Sequence, residues 1–188
     1  MRFFRFASMC ASLLAIPAFI LLALAVMTNP ANAQVQIAVI SDSNVYGKGV
    51  VTSENYPSQL ESALNARGLN VRTSNGGING DVSAGLLARL DSAVPQGTKV
   101  TVIWIGINDY RRGIGLPEIR TNVNEIVRRL RSRGIDSYVI RPPVYDLSLH
   151  RNPATSLPDL HMNAAGYARM VARTIGPVQA LVRKAKTG

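Results

Sequence analysis

Ser43 closes the polar turn Ser41-Asp42-Ser43, directly after the apolar stretch 34–40 (QVQIAVI). A serine placed there can act as a nucleophile when a base takes its proton. The chain holds two histidines, His150 and His161. His161 follows Asp159-Leu160 and so has a carboxylate close upstream, whereas the acid preceding His150 is the more distant Asp146. His161 is therefore the candidate base. Acyl transfer also needs donors aimed at the oxygen on which charge develops. The backbone N–H groups of Ser43 and Gly77 and the side-chain amide of Asn108 would supply them if their three turns meet. Taken singly, each residue has a plainer reading: a serine in a turn usually caps, Asn-Gly-Gly is a turn signal, and Asn108-Asp109 can build an Asx turn. Order and spacing together favour the chemistry.

These residues must be held by elements, and the pattern alternates. Residues 34–40 read as a strand buried on both faces. A helix fits 56–67, with Leu60 and Leu64 one turn apart and Gly68 as its stop. A short strand follows over 69–73, then a flexible turn Asn75-Gly76-Gly77-Ile78-Asn79-Gly80, then a helix through Leu86, Leu87 and Leu90. Residues 100–105 form the strongest strand and end in Gly106-Ile107-Asn108-Asp109. From Pro117 a helix places Ile119, Val123, Ile126, Val127 and Leu130 on one face, with Gly134 as its stop. A fourth strand over 135–140 ends at Pro142-Pro143. Asn163 caps a last helix, which Gly176-Pro177 breaks before a tail helix. Strand and helix in strict alternation predict a parallel sheet covered by helices on both faces. In such sheets function gathers at the carboxyl ends of the strands, where the three turns lie.

The chain has 188 residues, 47% of them hydrophobic and 17% charged, which fits one α/β domain. Arg2 and Arg5 precede an apolar run over 7–27 and an Ala31-Asn32-Ala33 ending, the order a signal peptidase reads. The expected division is thus a signal segment over 1–33, cleaved after Ala33 or retained as an anchor, and a domain over 34–188. The one cysteine, Cys10, lies in that segment, so a disulfide framework, a cysteine nucleophile and a cysteine zinc site are excluded beyond it. No acidic residue lies before Ala33, so the net charge of +10 becomes +8 without Arg2 and Arg5. That balance favours anionic surroundings such as envelope lipid or polyanionic glycan. Arg128, Arg129, Arg131 and Arg133 lack the interleaved aromatics of a nucleic-acid groove and read as a solvated face.

Four blocks then carry a family resemblance. Ile37-Ala38-Val39-Ile40-Ser41-Asp42-Ser43 resembles the nucleophile block of the SGNH, or GDSL-like, hydrolases. Asn75-Gly76-Gly77-Ile78-Asn79-Gly80-Asp81 resembles their glycine block. Gly106-Ile107-Asn108-Asp109 has their G-x-N-D form, and His161-Met162-Asn163-Ala164-Ala165-Gly166-Tyr167 is similar to their histidine block. The likeness is strongest to the bacterial periplasmic thioesterase and lysophospholipase group. It implies a flavodoxin-like three-layer α/β/α fold with four to five parallel strands and a secreted or periplasmic serine esterase acting through an acyl-enzyme. Ser43 would be the nucleophile, His161 the base, and Ser43, Gly77 and Asn108 the oxyanion hole, with no metal and no cofactor. The substrate would be a small-molecule, lipid or glycan ester, with no nucleic-acid partner. Three departures bear on this. Ser41 stands where the family has glycine. Pro158 occupies the usual place of the acid, so either Asp159 or a backbone carbonyl orients His161. The link from the fourth strand to His161 lacks the expected extra helix and strand. A noncatalytic envelope-binding module on the same scaffold is the alternative that Pro158 and this link would suit.

Overall fold

The computed structural model describes residues 33–141 and 148–187. The expected signal segment and Pro142-Pro143 therefore lie outside the described residues, and the fold is that of the unit beginning at Ala31. Four strands, β1 (Val35–Ser41), β2 (Val71–Gly77), β3 (Thr98–Trp104) and β4 (Asp136–Val139), form one parallel sheet in the order β2-β1-β3-β4. Eight helices are described in chain order: α1 (Ser43–Tyr46), α2 (Tyr56–Asn65), α3 (Ser83–Ala88), α4 (Leu90–Ala93), α5 (Ile107–Arg111), α6 (Leu116–Ser132), α7 (Ser148–Arg151) and α8 (Ala164–Thr187).

Alternation along β1 splits the core into two layers. Ile37 and Val39 face one side, where α2 and α8 bring Tyr56, Leu60, Leu64, Tyr167 and Met170. Ala38 and Ile40 face the other, where Leu86, Leu90, Ile126 and Leu130 close over them. The α/β/α sandwich expected from the alternating pattern is therefore the fold, with four described strands. On the first side Tyr56 meets Trp104 edge to face, with ring centroids 5.6 Å apart, and shares a 2.6 Å hydrogen bond with Thr174. Those contacts join α2, β3 and α8. On the second side α6 buries Ile119, Val123, Ile126 and Leu130, the face its spacing had announced. Each such side chain is worth roughly 1.5 to 3 kcal/mol of burial. Arg128 and Arg129 both grip Glu125 on the exposed side of α6.

Three elements differ from the sequence reading. β2 begins at Val71 and does not turn at Asn75; it pairs with β1 through Ile40↔Gly76 and Ser41↔Gly77. Its glycines serve close approach: a Cβ on Gly76 would lie 2.9 Å from Ile40 Cγ2 and 3.0 Å from Ala93 O. The helix expected through Leu86, Leu87 and Leu90 is two short helices that meet at Arg89. Gly176-Pro177 does not break the last helix, which runs unbroken from Ala164 to Thr187. Proline disfavours helical geometry in the residue before it partly through that residue's Cβ, which Gly176 lacks. Both residues are exposed, while Ile175, Val178 and Val182 stay in the core and hold the helix together.

Because β1 lies between β2 and β3, the chain steps from β1 to β2 on one side and then crosses from β2 past β1 to β3 on the other. The crevice at such a switch point opens beyond the carboxyl ends of β1 and β3. Ser43 follows β1 there, and Asn108 follows β3.

Candidate functional site

Asp42 sets the turn that presents Ser43. Its Oδ1 accepts from the Asn44 N–H at 2.9 Å and so caps α1, and Ser41 and the Asn44 side chain donate to the same atom. Ser43 is the first residue of this one-turn helix, where a backbone N–H has no intrahelical acceptor. The Ser41 side chain, in the family's glycine position, is fully buried and satisfied by Asp42. Burial pushes the Asp42 carboxyl up to about 6 despite the bonds from Asn44 and Ser41.

His161 comes from a tight loop ahead of α8. Leu157 N–H donates to its carbonyl at 2.7 Å, Ser156 and Met162 form an antiparallel bridge, and Asn163 caps α8 through Gly166 N–H at 3.0 Å. Leu160, the residue before it, holds φ at +65°. Such backbone strain in a non-glycine residue persists only where its surroundings enforce it. Here His150 Nδ1 sits 2.7 Å from the Leu160 carbonyl, so the second histidine braces the loop of the first. His161 Nε2 lies 3.0 Å from Ser43 Oγ across 118 residues of sequence.

Asp159 approaches the Nδ1 side of the ring. Its Oδ1 accepts from the His161 N–H at 3.2 Å, and its Oδ2 lies 3.0 Å from Nδ1 as an ion-pair contact without hydrogen-bond alignment. Lys48 Nζ reaches that same Oδ2 at 3.2 Å. Desolvation raises the Asp159 carboxyl, but the His161 N–H, the Lys48 ammonium and the imidazole outweigh it and hold the group below its ordinary range.

Asn108 sits beside the nucleophile turn. Its Nδ2 donates to Asp81 O at 3.0 Å and to Asp42 Oδ2 at 3.2 Å. Its neighbour Asp109 is fully buried and accepts from the Ser83 N–H and hydroxyl, locking α5 to the start of α3. Gly77 is differently employed from the sequence expectation. Its N–H donates to Asn75 Oδ1 at 3.0 Å, and a Cβ there would fall against Tyr46 N and within 2.7 Å of Asp42 O. The residue lets β2 pass flush against α1. Gly80, at φ +76°, precedes the carbonyl that Asn108 bonds, and its N–H has no acceptor among the described residues.

The tethering contacts of several supporting residues had no sequence signal. Asn75 Nδ2 bonds the Val45 carbonyl at 2.8 Å and so ties α1 to β2. Arg89 pairs with Asp81 at 2.7 Å and donates to the Ser41 carbonyl at 3.0 Å, joining the loops after β1 and β2. Lys48 is the third. An imidazole nitrogen on a serine hydroxyl, with a carboxylate beside its second nitrogen and amide donors nearby, can deprotonate that hydroxyl for attack on a carbonyl carbon. No group of side chains suited to a metal ion occurs among the described residues.

Comparison with known proteins bears on the family and the fold. The model of the GDSL-like Lipase/Acylhydrolase family matches residues 42–157, ending short of His161. The chain is 33% identical to Esterase TesA of Pseudomonas aeruginosa over 114 residues, 60% of this chain and 56% of the relative. It is 30% identical to an arylesterase of Vibrio mimicus over 114 residues, 58% and 57% of the two chains. The alignments thus span little more than half the length of these curated relatives. Among solved structures, TesA superposes with a TM-score of 0.69 at 22% identity, covering 78% of this chain and 99% of that one. AlinE4, an SGNH-hydrolase family esterase, does so at 0.54 and 28% identity, covering 81% and 73%.

Proposed function

Because the chain belongs to the GDSL-like lipase/acylhydrolase family, we propose that it is a serine esterase that hydrolyses carboxylic ester or thioester bonds through an acyl-enzyme on Ser43. The observation that carries this reading is the 3.0 Å contact between His161 Nε2 and Ser43 Oγ. Nε2 takes the hydroxyl proton as Oγ attacks the carbonyl carbon. The tetrahedral intermediate then collapses, the imidazolium returns the proton to the departing alcohol or thiol, and a water deprotonated by the same nitrogen releases the acid. Asp159, on the Nδ1 side, steadies the imidazolium.

The oxyanion meets Ser43 N–H and the Asn108 hydrogen that otherwise points to Asp42 Oδ2. With Gly77 N–H held by Asn75, the further backbone donor is Gly80 N–H. Removing one donor of this kind costs about 2.7 to 4 kcal/mol in the transition state, so Asn108→Ala should slow turnover by a few hundredfold. The basic start, apolar run and Ala-x-Ala ending support export, which places the ester substrate in the periplasm or outside the cell.

Labelling with a fluorophosphonate probe tests the reading, since only an activated serine reacts. Labelling of the wild type that vanishes in Ser43→Ala and falls sharply in His161→Ala is the expected result. A folded wild type that does not label would overturn it in favour of a noncatalytic binding module.

A further inference from the structure

The large apolar side chains left in solvent among the described residues are Tyr46, Val51, Ile78, Tyr110, Leu116 and Leu160. Their distribution is one-sided. In a parallel sheet with returning helices, every loop that follows a strand and every helix start lies at the carboxyl edge. Tyr46 and Val51 lie between β1 and α2, and Ile78 directly follows β2. Tyr110 and Leu116 lie between β3 and the first turn of α6, and Leu160 immediately precedes His161. All six thus belong to the edge that carries Ser43. The opposite edge, with its turns over 66–70, 94–97 and 133–135, buries Leu69, Val94 and Ile135 and exposes none.

These segments are also in mutual contact. Lys48 reaches Asp159 from the loop after β1, Arg112 donates to the Gly80 carbonyl at 2.8 Å, and Asn108 bridges Asp42 and Asp81. The segments that carry the apolar side chains therefore meet around one edge of the sheet, beside Ser43. Tyr110 is 71% exposed and Leu116 61%. An apolar rim of this kind marks an interaction surface.

Charge selects the partner. Lys48, Arg111, Arg112 and Arg141 are exposed on this edge, the arginines 111 and 112 adjoining Tyr110. The exposed acids there are Glu54, Glu118 and Asp159; Lys48 and Asp159 pair with each other, which leaves the three arginines against two glutamates. Apolar side chains interleaved with cations suit the headgroup region of an anionic bilayer, where rings and aliphatic chains enter the acyl boundary and arginines stay with phosphate. We infer that the mouth of the Ser43 site docks on an anionic lipid surface, presenting the site to esters held in or on that surface. The docking itself is independent of turnover; only its benefit to the substrate rests on the esterase reading.

Vesicle co-sedimentation tests it with the unit beginning at Ala31, which keeps both core layers complete within residues 35–182 and omits the apolar N-terminal run. Vesicles of phosphatidylcholine alone are compared with vesicles containing an equal amount of phosphatidylglycerol. The protein should bind the anionic vesicles and not the zwitterionic ones. The double variant Arg111→Gln/Arg112→Gln should weaken that binding about thirtyfold, at about fivefold per cation near the surface. The double variant Tyr110→Ser/Leu116→Ser should weaken it at least about tenfold. Circular dichroism establishes that both variants are folded. Absence of binding to either vesicle overturns the inference, as does binding that survives both double variants or that falls equally when Arg67 and Arg133 on the opposite edge are neutralised. Rim variants that alter hydrolysis of a soluble long-chain ester while leaving vesicle binding intact also overturn it, assigning the rim to the acyl chain alone. Fluorophosphonate labelling reports separately on the esterase reading.

Discussion

Lys48 Nζ and His161 Nδ1 converge on one oxygen of Asp159, at 3.2 and 3.0 Å. In the proposed mechanism the carboxylate that steadies the imidazolium is thereby shared with a cation. Lys48→Met should free the oxygen to align on Nδ1 alone and so change kcat while KM, set by groups that touch the substrate, stays. The lysine and aspartate side chains are both about half exposed, so screening limits the change to less than about tenfold. Lys48→Arg should restore the wild-type kcat. An unchanged kcat in Lys48→Met would remove Lys48 from any role in positioning.

Gly77 separates two explanations of a glycine next to the proposed nucleophile. If it serves close approach, Gly77→Ala must push backbone apart, because the new Cβ meets Tyr46 N and Asp42 O, neither of which can rotate away. The expected cost is about 3 kcal/mol of stability, at the upper end of overpacking, together with loss of activity as α1 is displaced. Gly97→Ala, with open space around its Cβ but φ of +86°, should cost about 1 kcal/mol. Urea denaturation of both variants gives the comparison. A Gly77→Ala protein of wild-type stability with only turnover reduced would argue for a donor role instead.

The same glycine shows where local pattern stops being informative. Strand β1 and helix α6 were legible because burial on two faces demands a β-branched run and burial on one face demands helical spacing, and both are written in consecutive residues. Ser43, Asp159 and His161 were legible as residue types in order, on turns that a parallel sheet must gather. Asn75-Gly76-Gly77 carried a turn signal that tertiary packing overrode, since the glycines are required by Ile40 and Tyr46 rather than by their own φ. Gly176-Pro177 carried a break that Val178 and Val182 override from the core. The partners of Lys48, Asn75 and Arg89 lie far away in sequence, and a lysine, an asparagine or an arginine looks alike whether solvated or bridging two loops.

Asp42 should leave a mark on the pH dependence of stability. Folded, its carboxyl titrates at about 6, above the ordinary range, because burial penalises the anion. Below both values the folded and unfolded chains hold the same proton and there is no contribution. As pH rises through the window up to about 6 the unfolded chain ionises first, so stability falls, and above it the penalty is complete. At about 1.4 kcal/mol per pH unit the drop is on the order of 3 kcal/mol. Asp42→Asn cannot ionise and should lack it, so the wild type should lose unfolding free energy relative to Asp42→Asn on going from acid to neutral pH. Parallel curves for the two proteins would show that Asp42 titrates alike in both states.

Tyr167 is fully buried against the core beneath the site, and its hydroxyl finds no hydrogen-bond partner among the described residues. Burial, with the charges of Asp42 and Asp159, raises the phenol well above its ordinary range, so the hydroxyl is neutral at all working pH values. The ring earns its place by packing with the α8 side of the core, while an unsatisfied buried hydroxyl is a liability of about 1 to 3 kcal/mol. Tyr167→Phe keeps the ring and removes the liability, so it should be neutral or raise the unfolding free energy by up to about 2 kcal/mol. The pH–rate profile should be unchanged, because no hydrogen bond to either carboxylate is lost. A destabilised Tyr167→Phe protein would mean that the hydroxyl is bridged to its surroundings by a buried water, and a displaced acid limb would place that bridge on Asp159.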